Sequence, residues 1–110
     1  MHRDIYECLK EVARASQTIT YGEIAPMANL NMESQADRNE IGRILGAISE
    51  REHAEGRPLL SAVVVLSEIG YPGKGFFTLA QELGVHDGSD DLAFFVQELR
   101  RVHEYWQKAK

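Results

Sequence analysis

The sequence predicts a mostly helical α+β domain that has a small β-hairpin and extra helices at its C-terminal end. Apolar residues recur at three- and four-residue intervals through most of the chain, which is the period of an amphipathic helix. Only residues 59–66 form an unbroken apolar run rich in valine, which favours a single buried strand. The 110 residues are the length of one domain, and neither a repeat nor a linker divides them.

The first half of the chain is predicted to be helical. A first helix covers residues 4–15, and Cys8 lies on its apolar face. Because it has no neighbouring histidine and no second cysteine, Cys8 is interpreted as a buried, unreactive thiol. Thr20 and Glu23 have the spacing of a capping box, which indicates the start of a second helix. Pro26 falls inside that helix and is expected to keep it short and distorted.

A third helix and one strand are predicted in the middle of the chain. Ser34 and Asp37 resemble a second capping pair, which indicates the start of a long helix. We expect residues 59–66 to form a strand that is covered on both faces. The glycine-rich residues 69–75 are typical of a turn, which leads either to a short return strand or directly into a helix over residues 76–83.

The final helix is predicted over residues 90–108, where acidic residues favour its N-terminal end. Its apolar side chains follow the helical period, and we expect this stripe to be buried in the domain or in an interface with a partner. The stripe consists of Leu92, Phe95, Val96, Leu99, Val102 and Trp106, with Phe94 and Tyr105 beside it.

The composition excludes several classes of protein. Hydrophobic residues at 44% and charged residues at 26% are typical of a globular domain and not of a disordered chain. The net charge is −5 and both halves of the chain are acidic, so no long basic surface for phosphates is predicted. No stretch approaches the roughly 18 apolar residues of a membrane span. A single cysteine fits a reducing compartment, and we expect a cytoplasmic protein that does not contact membranes.

Three helices before a hairpin suggest a winged-helix arrangement, and one segment makes this suggestion specific. Thr20-Tyr21-Gly22-Glu23-Ile24-Ala25 resembles the helix-turn-helix entry of the DNA-binding domain of the methylated-DNA–cysteine methyltransferases and their alkyltransferase-like relatives. Residues 39–42 align with the R-A-V-G pattern of that family. Pro58 and the valine run align with the proline and the apolar, strand-like run that the family has after this pattern. The resemblance covers residues 3–75.

The resemblance implies a single winged-helix-like domain. Its helix-turn-helix core would cover residues 4–55, its strand and turn residues 59–75, and its added C-terminal helices residues 76–108. Two further segments, residues 56–62 and 72–77, are similar to segments shared by a group of small uncharacterised bacterial proteins, a similarity that implies no activity.

The chain departs from the family where alkyl transfer would take place. The acceptor cysteine of the family falls near Ser61, and Ala62 and Val63 come next where the family has histidine and arginine. Cys8 lies in the first helix, far along the chain from that position. Because alkyl transfer needs a thiolate activated by a neighbouring base, the sequence predicts no transfer activity.

Five residues are candidates for nucleic-acid binding. The alkyltransferase-like relatives also lack the cysteine and bind alkylated guanine by flipping it, with a tyrosine and an inserted arginine. Tyr21 matches the tyrosine, Asn39 stands at the arginine position, and Arg38 precedes it. Arg43 lies on the same helix, where acidic residues oppose DNA binding. Lys74 lies in the glycine-rich turn, which lacks the Walker spacing and is interpreted as a turn with an exposed lysine. The alternative is a wing whose lysine touches a phosphate.

No other chemistry is indicated by the sequence. The histidines lack metal-ligand spacing and Ser61 lacks the motif of a hydrolase nucleophile, so no catalytic residue, metal or cofactor is predicted. Two hypotheses for function remain. One is a non-catalytic, alkyltransferase-like module that binds double-stranded DNA. The other is a protein-interaction module that binds a partner, or a second copy of itself, through the aromatic C-terminal helix.

Overall fold

The computed structural model describes residues 1–109, which form five α-helices and two short strands. Two 3-10 helices, Ala25–Ala28 and Leu60–Val63, lie between them. The predicted α+β class and its mostly helical character are confirmed. In chain order the elements are α1 (Arg3–Arg14), β1 (Ile19–Thr20), α2 (Tyr21–Ile24), α3 (Gln35–Ala54), β2 (Val64–Val65), α4 (Lys74–Glu82) and α5 (Asp91–Lys108).

The predicted capping residues start their helices. Thr20 and Glu23 form both hydrogen bonds of the capping box: the Glu23 N–H donates to Thr20 Oγ1 at 3.2 Å, and the Thr20 N–H donates to Glu23 Oε1 at 3.0 Å. At the start of α3, the Asp37 N–H donates to Ser34 Oγ at 3.3 Å. Helix α2 is only one turn long because the chain tightens into a 3-10 helix that contains Pro26.

The predicted β-hairpin is wrong. Strands β1 and β2 pair in parallel, with Ile19 opposite Val64 and Thr20 opposite Val65. A tight turn cannot join parallel neighbours, and the chain between these two strands contains α2 and α3. The return strand expected after residues 69–75 is therefore replaced by the other alternative, in which the turn leads directly into α4. Lys74 is the first residue of this helix and does not lie in a wing.

The strand predicted over residues 59–66 is also much shorter than expected. Only Val64–Val65 form a strand, and the preceding Leu60–Val63 form a buried 3-10 helix. The reason is that no long neighbouring strand is present within residues 1–109 to pair with this backbone. Its N–H groups are satisfied locally and by side chains instead: the Ala62 N–H donates to Leu59 O at 3.0 Å, and the Leu59 N–H donates to Glu98 Oε2 at 2.8 Å.

The core is built around this buried 3-10 helix, which packs against α1, α3 and α5. In α5 the predicted stripe is correct for Phe95, Val102 and Trp106, which are buried. Leu92 and Val96 are not part of this core, since their side chains are 53% and 51% exposed in the single chain. These two residues lie further round the helix from the face that α1 and the 3-10 helix cover, since each residue turns the helix by about 100°.

The helices also bear on two further expectations, the burial of Cys8 and the absence of a membrane span. Cys8, expected to be buried, is only half-buried because it lies at the edge of the apolar face formed by Ile5, Leu9 and Ala13. Within residues 1–109, no helix has both the length and the apolar character needed to span a membrane.

Candidate binding cavity between the third and fourth helices

A cavity of about 500 Å³ lies between α3 and α4, beside the start of α2. This volume is within the range of sites that bind small molecules or single chemical groups. Most of its walls are apolar. The lining residues are Tyr21, Met32, Arg38, Asn39, Ile41, Gly42, Leu45, Gly46, Ser61, Leu66, Gly73, Gly75, Phe76 and Leu79.

Burial distinguishes the floor of the cavity from its mouth. Ile41, Leu45 and Phe76 are buried and line the inner part together with Ser61. Exposed residues, among them Arg38, surround the opening. Helix α3 contributes to both regions, because its second turn carries the polar side chains and its later turns carry the apolar ones. The cavity therefore presents polar groups to solvent and an apolar interior to whatever enters it.

The structure brings together three of the five candidate residues selected from the sequence. Tyr21, Arg38 and Asn39 all line the cavity. Arg43 does not line it; its guanidinium group is exposed and forms an ion pair with Glu40 one turn earlier on α3. Lys74 lies between two lining glycines at the start of α4, but its own side chain does not line the cavity.

Tyr21 joins α2 to the start of α4. Its hydroxyl oxygen accepts a hydrogen bond from the Gly73 N–H at 2.8 Å, across 52 positions in the chain. Burial raises the pKa of Tyr21, and the bond from Gly73 offsets only part of that rise. A Cβ atom at Gly73 would lie 3.4 Å from the Tyr21 hydroxyl, so a larger residue would crowd this contact. Tyr21 is thus held as one wall of the cavity.

The charge at the mouth is positive although the chain is acidic overall. Within residues 1–109, Arg38 is the one charged residue among those that line the cavity. It donates to Met32 O and to Gln35 Oε1, each at 2.7 Å, and it forms no ion pair with any residue in this range. Lys74 likewise has no carboxylate partner in the described part of the chain. These cations favour an anionic group near the opening.

A pair of serines at the floor of the cavity is a feature that the sequence alone did not reveal. The Oγ atoms of Ser49 and Ser61 are 2.6 Å apart, and the Ser61 N–H donates to Ser49 Oγ at 3.1 Å. Both residues are buried, and Ser61 lines the cavity. The available signal was the position of Ser49 on the apolar stripe of α3, directly after Ile48. A serine on such a stripe needs a buried partner.

A buried histidine outside the cavity is held by its neighbours. His86 is buried, its Nε2 is 2.7 Å from Asp91 Oδ1, and its ring stacks on Phe94 with the centroids 4.3 Å apart. This contact joins the loop after α4 to the first turn of α5. No group of three or more metal-ligating side chains is found in the part of the chain that the structure describes. The α3–α4 cavity is thus the candidate site on which the sequence-selected residues converge.

Comparisons with protein-family models, with curated proteins and with solved structures find no match for this chain.

Proposed function

We propose that the chain is a non-catalytic module of the alkyltransferase-like kind, which binds double-stranded DNA through a helix-turn-helix and takes one extruded base into the α3–α4 cavity. The observation that carries this proposal is the convergence of Tyr21, Arg38 and Asn39 on one cavity. By sequence alone, Tyr21 matches the tyrosine of the base-flipping relatives, Asn39 stands at the position of their arginine, and Arg38 precedes it. The cavity is also lined by Ser61, which stands near the position of the acceptor cysteine in the family.

The chemistry of the cavity suits a nucleobase. A base is planar and largely apolar on its faces, and base-flipping proteins hold it between aromatic and apolar side chains. The rings of Tyr21 and Phe76 and the side chains of Ile41 and Leu45 supply such walls. In this proposal α2 and α3 act as the helix-turn-helix, and the mouth of the cavity faces the duplex.

The charge distribution supports contact with phosphates at the mouth of the cavity. Arg38 and Lys74 are cations without an ion-pair partner among residues 1–109, whereas Arg43 is paired with Glu40. A net charge of −5 repels DNA elsewhere on the surface. For duplex DNA, each neutralised phosphate contributes about 0.9 to the slope of the logarithm of affinity against the logarithm of salt concentration. Because few phosphates are contacted, we expect affinity to depend only weakly on salt.

The surroundings of Ser61 support binding without group transfer. A serine becomes a nucleophile when a general base takes its proton. The side-chain partner of Ser61 is the hydroxyl of Ser49, which is not a base at neutral pH. The half-buried Cys8 lies on α1 and does not line the cavity.

A fluorescence-polarisation titration at two salt concentrations tests this proposal. Wild-type protein is titrated with a plain duplex and with the same duplex that carries one O6-alkylguanine. We expect binding to both, tighter binding to the modified duplex, and a salt slope that falls by about one in Arg38→Gln. The matched control is Arg100→Gln, which removes the same charge from an exposed position on α5 that does not line the cavity.

Two results would contradict the proposal. If the wild-type protein binds neither duplex at the lower salt concentration, the chain is not a DNA-binding module. If both duplexes bind equally and Arg38→Gln behaves like Arg100→Gln, DNA binding does not involve the cavity.

A further inference from the structure

We propose that Ser61, oriented by Ser49, is the hydrogen-bond donor at the floor of the cavity, and that it selects an uncharged heterocyclic base with an acceptor atom on its inner edge. This inference rests on the proposed function, because it names the class of base that the cavity would hold. It comes from accounting for the two hydroxyl protons of the serine pair.

Either serine hydroxyl can be the donor across the 2.6 Å contact, and the position of the two residues favours one direction. Ser49 Oγ already accepts the Ser61 N–H at 3.1 Å. If the Ser61 hydroxyl also donated to Ser49 Oγ, the proton of Ser49 would have no acceptor, since its side chain has no other partner in residues 1–109. If instead Ser49 donates to Ser61 Oγ across the 2.6 Å contact, the proton of Ser49 is satisfied. Each arrangement leaves one hydroxyl proton without an acceptor in residues 1–109. The second is favoured because it leaves that proton on Ser61, which lines the cavity, and not on Ser49, which does not.

This arrangement leaves the proton of Ser61 for the cavity. Ser61 is only 5% exposed and lines the cavity, so its free donor faces a mostly apolar space. A buried donor without an acceptor is costly, and a ligand that supplies the acceptor removes that cost. A ligand without an acceptor leaves the donor unsatisfied, which is the physical basis of discrimination by buried polar groups.

The side chains that line the inner cavity determine which charge the ligand can carry. Among the described residues, the inner cavity is lined by Ile41, Leu45 and Phe76 and by no charged side chain, because Arg38 lies at the mouth. A charged group at the floor would lose its hydration without gaining an ion pair. A base that is uncharged and carries a carbonyl or ring-nitrogen acceptor meets both conditions.

The test is a double-mutant cycle between one hydroxyl and one acceptor. The probes are two duplexes that differ at a single mispaired position, which carries either thymine or its shape mimic difluorotoluene, in which C–F groups replace the carbonyl acceptors. Both are titrated with wild-type protein and with Ser61→Ala. We expect Ser61→Ala to weaken binding of the thymine duplex about three- to tenfold and to leave binding of the difluorotoluene duplex unchanged.

Ser49→Ala is the matched control for folding. It also breaks the serine pair and is expected to lower the midpoint of thermal unfolding to a similar extent. The hydroxyl of Ser61 remains in Ser49→Ala, so we expect this variant to keep a preference for thymine that Ser61→Ala loses. Equal loss of the preference in both variants would show that destabilisation, and not the donor, causes it, and would overturn the inference.

A second arm separates this inference from the proposed function. Free thymidine and the difluorotoluene nucleoside are added to isotope-labelled protein, and the backbone amide signals of Ser61 and Ala62 are followed. If duplexes bind but Ser61→Ala affects both probes alike, DNA binding stands and the role of Ser61 is overturned. If no duplex binds, but thymidine shifts these signals more in wild type than in Ser61→Ala, the proposed function fails and the role of Ser61 stands. If neither duplex nor nucleoside binds, both are overturned.

Discussion

Two buried glutamates bind polar groups next to the segment that enters the buried 3-10 helix. Glu98 is 2% exposed; its Oε2 accepts the Leu59 N–H at 2.8 Å and its Oε1 accepts a bond from Arg101 at 2.5 Å. Glu52 is fully buried and accepts two bonds from Arg57, the shorter at 2.7 Å. Each carboxylate is paired with a guanidinium group, which is how proteins tolerate buried charge. These residues fix the segment that enters the buried 3-10 helix.

The thiol of Cys8 should react more slowly in the folded protein than in the denatured chain. Burial and, to a smaller extent, the charge of Glu23 raise the pKa of Cys8. Since the thiolate is the reactive form, a raised pKa lowers the reactive fraction at any pH below it. We expect the pH midpoint for labelling by a thiol reagent to be higher in the native protein than in denaturant. A native rate equal to or above the denatured rate at mildly alkaline pH would show that the thiol is neither shielded nor perturbed.

Residue patterns predict apolar burial better than polar burial. The stripe of α3 could be predicted because isoleucine and leucine at helical spacing have few alternatives to the core. Glu52 and Glu98 could not, because charged residues on a helix are usually exposed. Tyr6, which contacts Glu52, and the Leu59 N–H, which contacts Glu98, lie far from them along the chain. Tyr21, Arg38 and Asn39 could be selected because sequence motifs mark them. The Ser49–Ser61 contact could not, because it depends on the packing of two elements.

At the scale of elements, the start of a helix depends on residues that are close together in the sequence, whereas the pairing of strands does not. The capping boxes and caps could be predicted because each joins residues three positions apart. The parallel pairing of β1 with β2 could not, since β1 is only two residues long and lies next to a helix cap, and β2 comes after the whole of α3. A valine-rich run predicts burial correctly, but it does not reveal whether another strand is available to pair with it.

Helix α2 should depend strongly on its cap because it has only one turn. Replacing Thr20 by alanine removes the acceptor for the Glu23 N–H and leaves the backbone pairing of β1 intact. We expect Thr20→Ala to lower the free energy of unfolding by about 1 kcal/mol, measured by chemical denaturation. Thr20→Ser keeps the hydroxyl and should lie close to wild type. If the serine variant loses as much stability as the alanine variant, the methyl group and not the cap is responsible.

At the scale of the whole molecule, the first and last helices pack against each other and close the domain. The ring of Trp106 on α5 lies against α1, with the Lys10 ammonium 5.9 Å and the Arg14 guanidinium 5.6 Å from its centroid. The end of α5 also holds the corner after α1, because His103 Nε2 donates to Gln17 O at 3.0 Å and Gln107 bonds to Ser16. The C-terminal helix is therefore an integral wall of the core.

Trp106→Ala should destabilise the single chain. Trp106 is 6% exposed, and truncation of a large buried aromatic residue costs about 3–5 kcal/mol. We expect a loss of this size in chemical denaturation, and a much smaller one in Trp106→Phe, which keeps an aromatic ring. A free energy of unfolding in Trp106→Ala equal to that of the wild type would show that this side chain does not contribute to the core.

Sedimentation of a surface variant of α5 tests the second functional hypothesis. Leu92 and Val96 are exposed one turn apart on α5, away from the face that contacts α1. Replacing both by serine should change the free energy of unfolding by no more than about 0.5 kcal/mol, because neither is buried. If the wild type sediments as a dimer and this double variant as a monomer, α5 is the self-association surface. If both sediment as monomers, it is not.

Because α5 closes the domain, the core cannot be completed during synthesis until the ribosome has made this last helix. Ile5, Leu9 and Ala13 of α1 are completely buried, and α5 supplies one of the surfaces that cover them. During synthesis the apolar face of α1 emerges long before α5 does, so it stays without that cover while the intervening segments are translated. The nascent chain would accordingly expose a chaperone-binding surface until α5 leaves the exit tunnel, and the domain would complete its fold only after that.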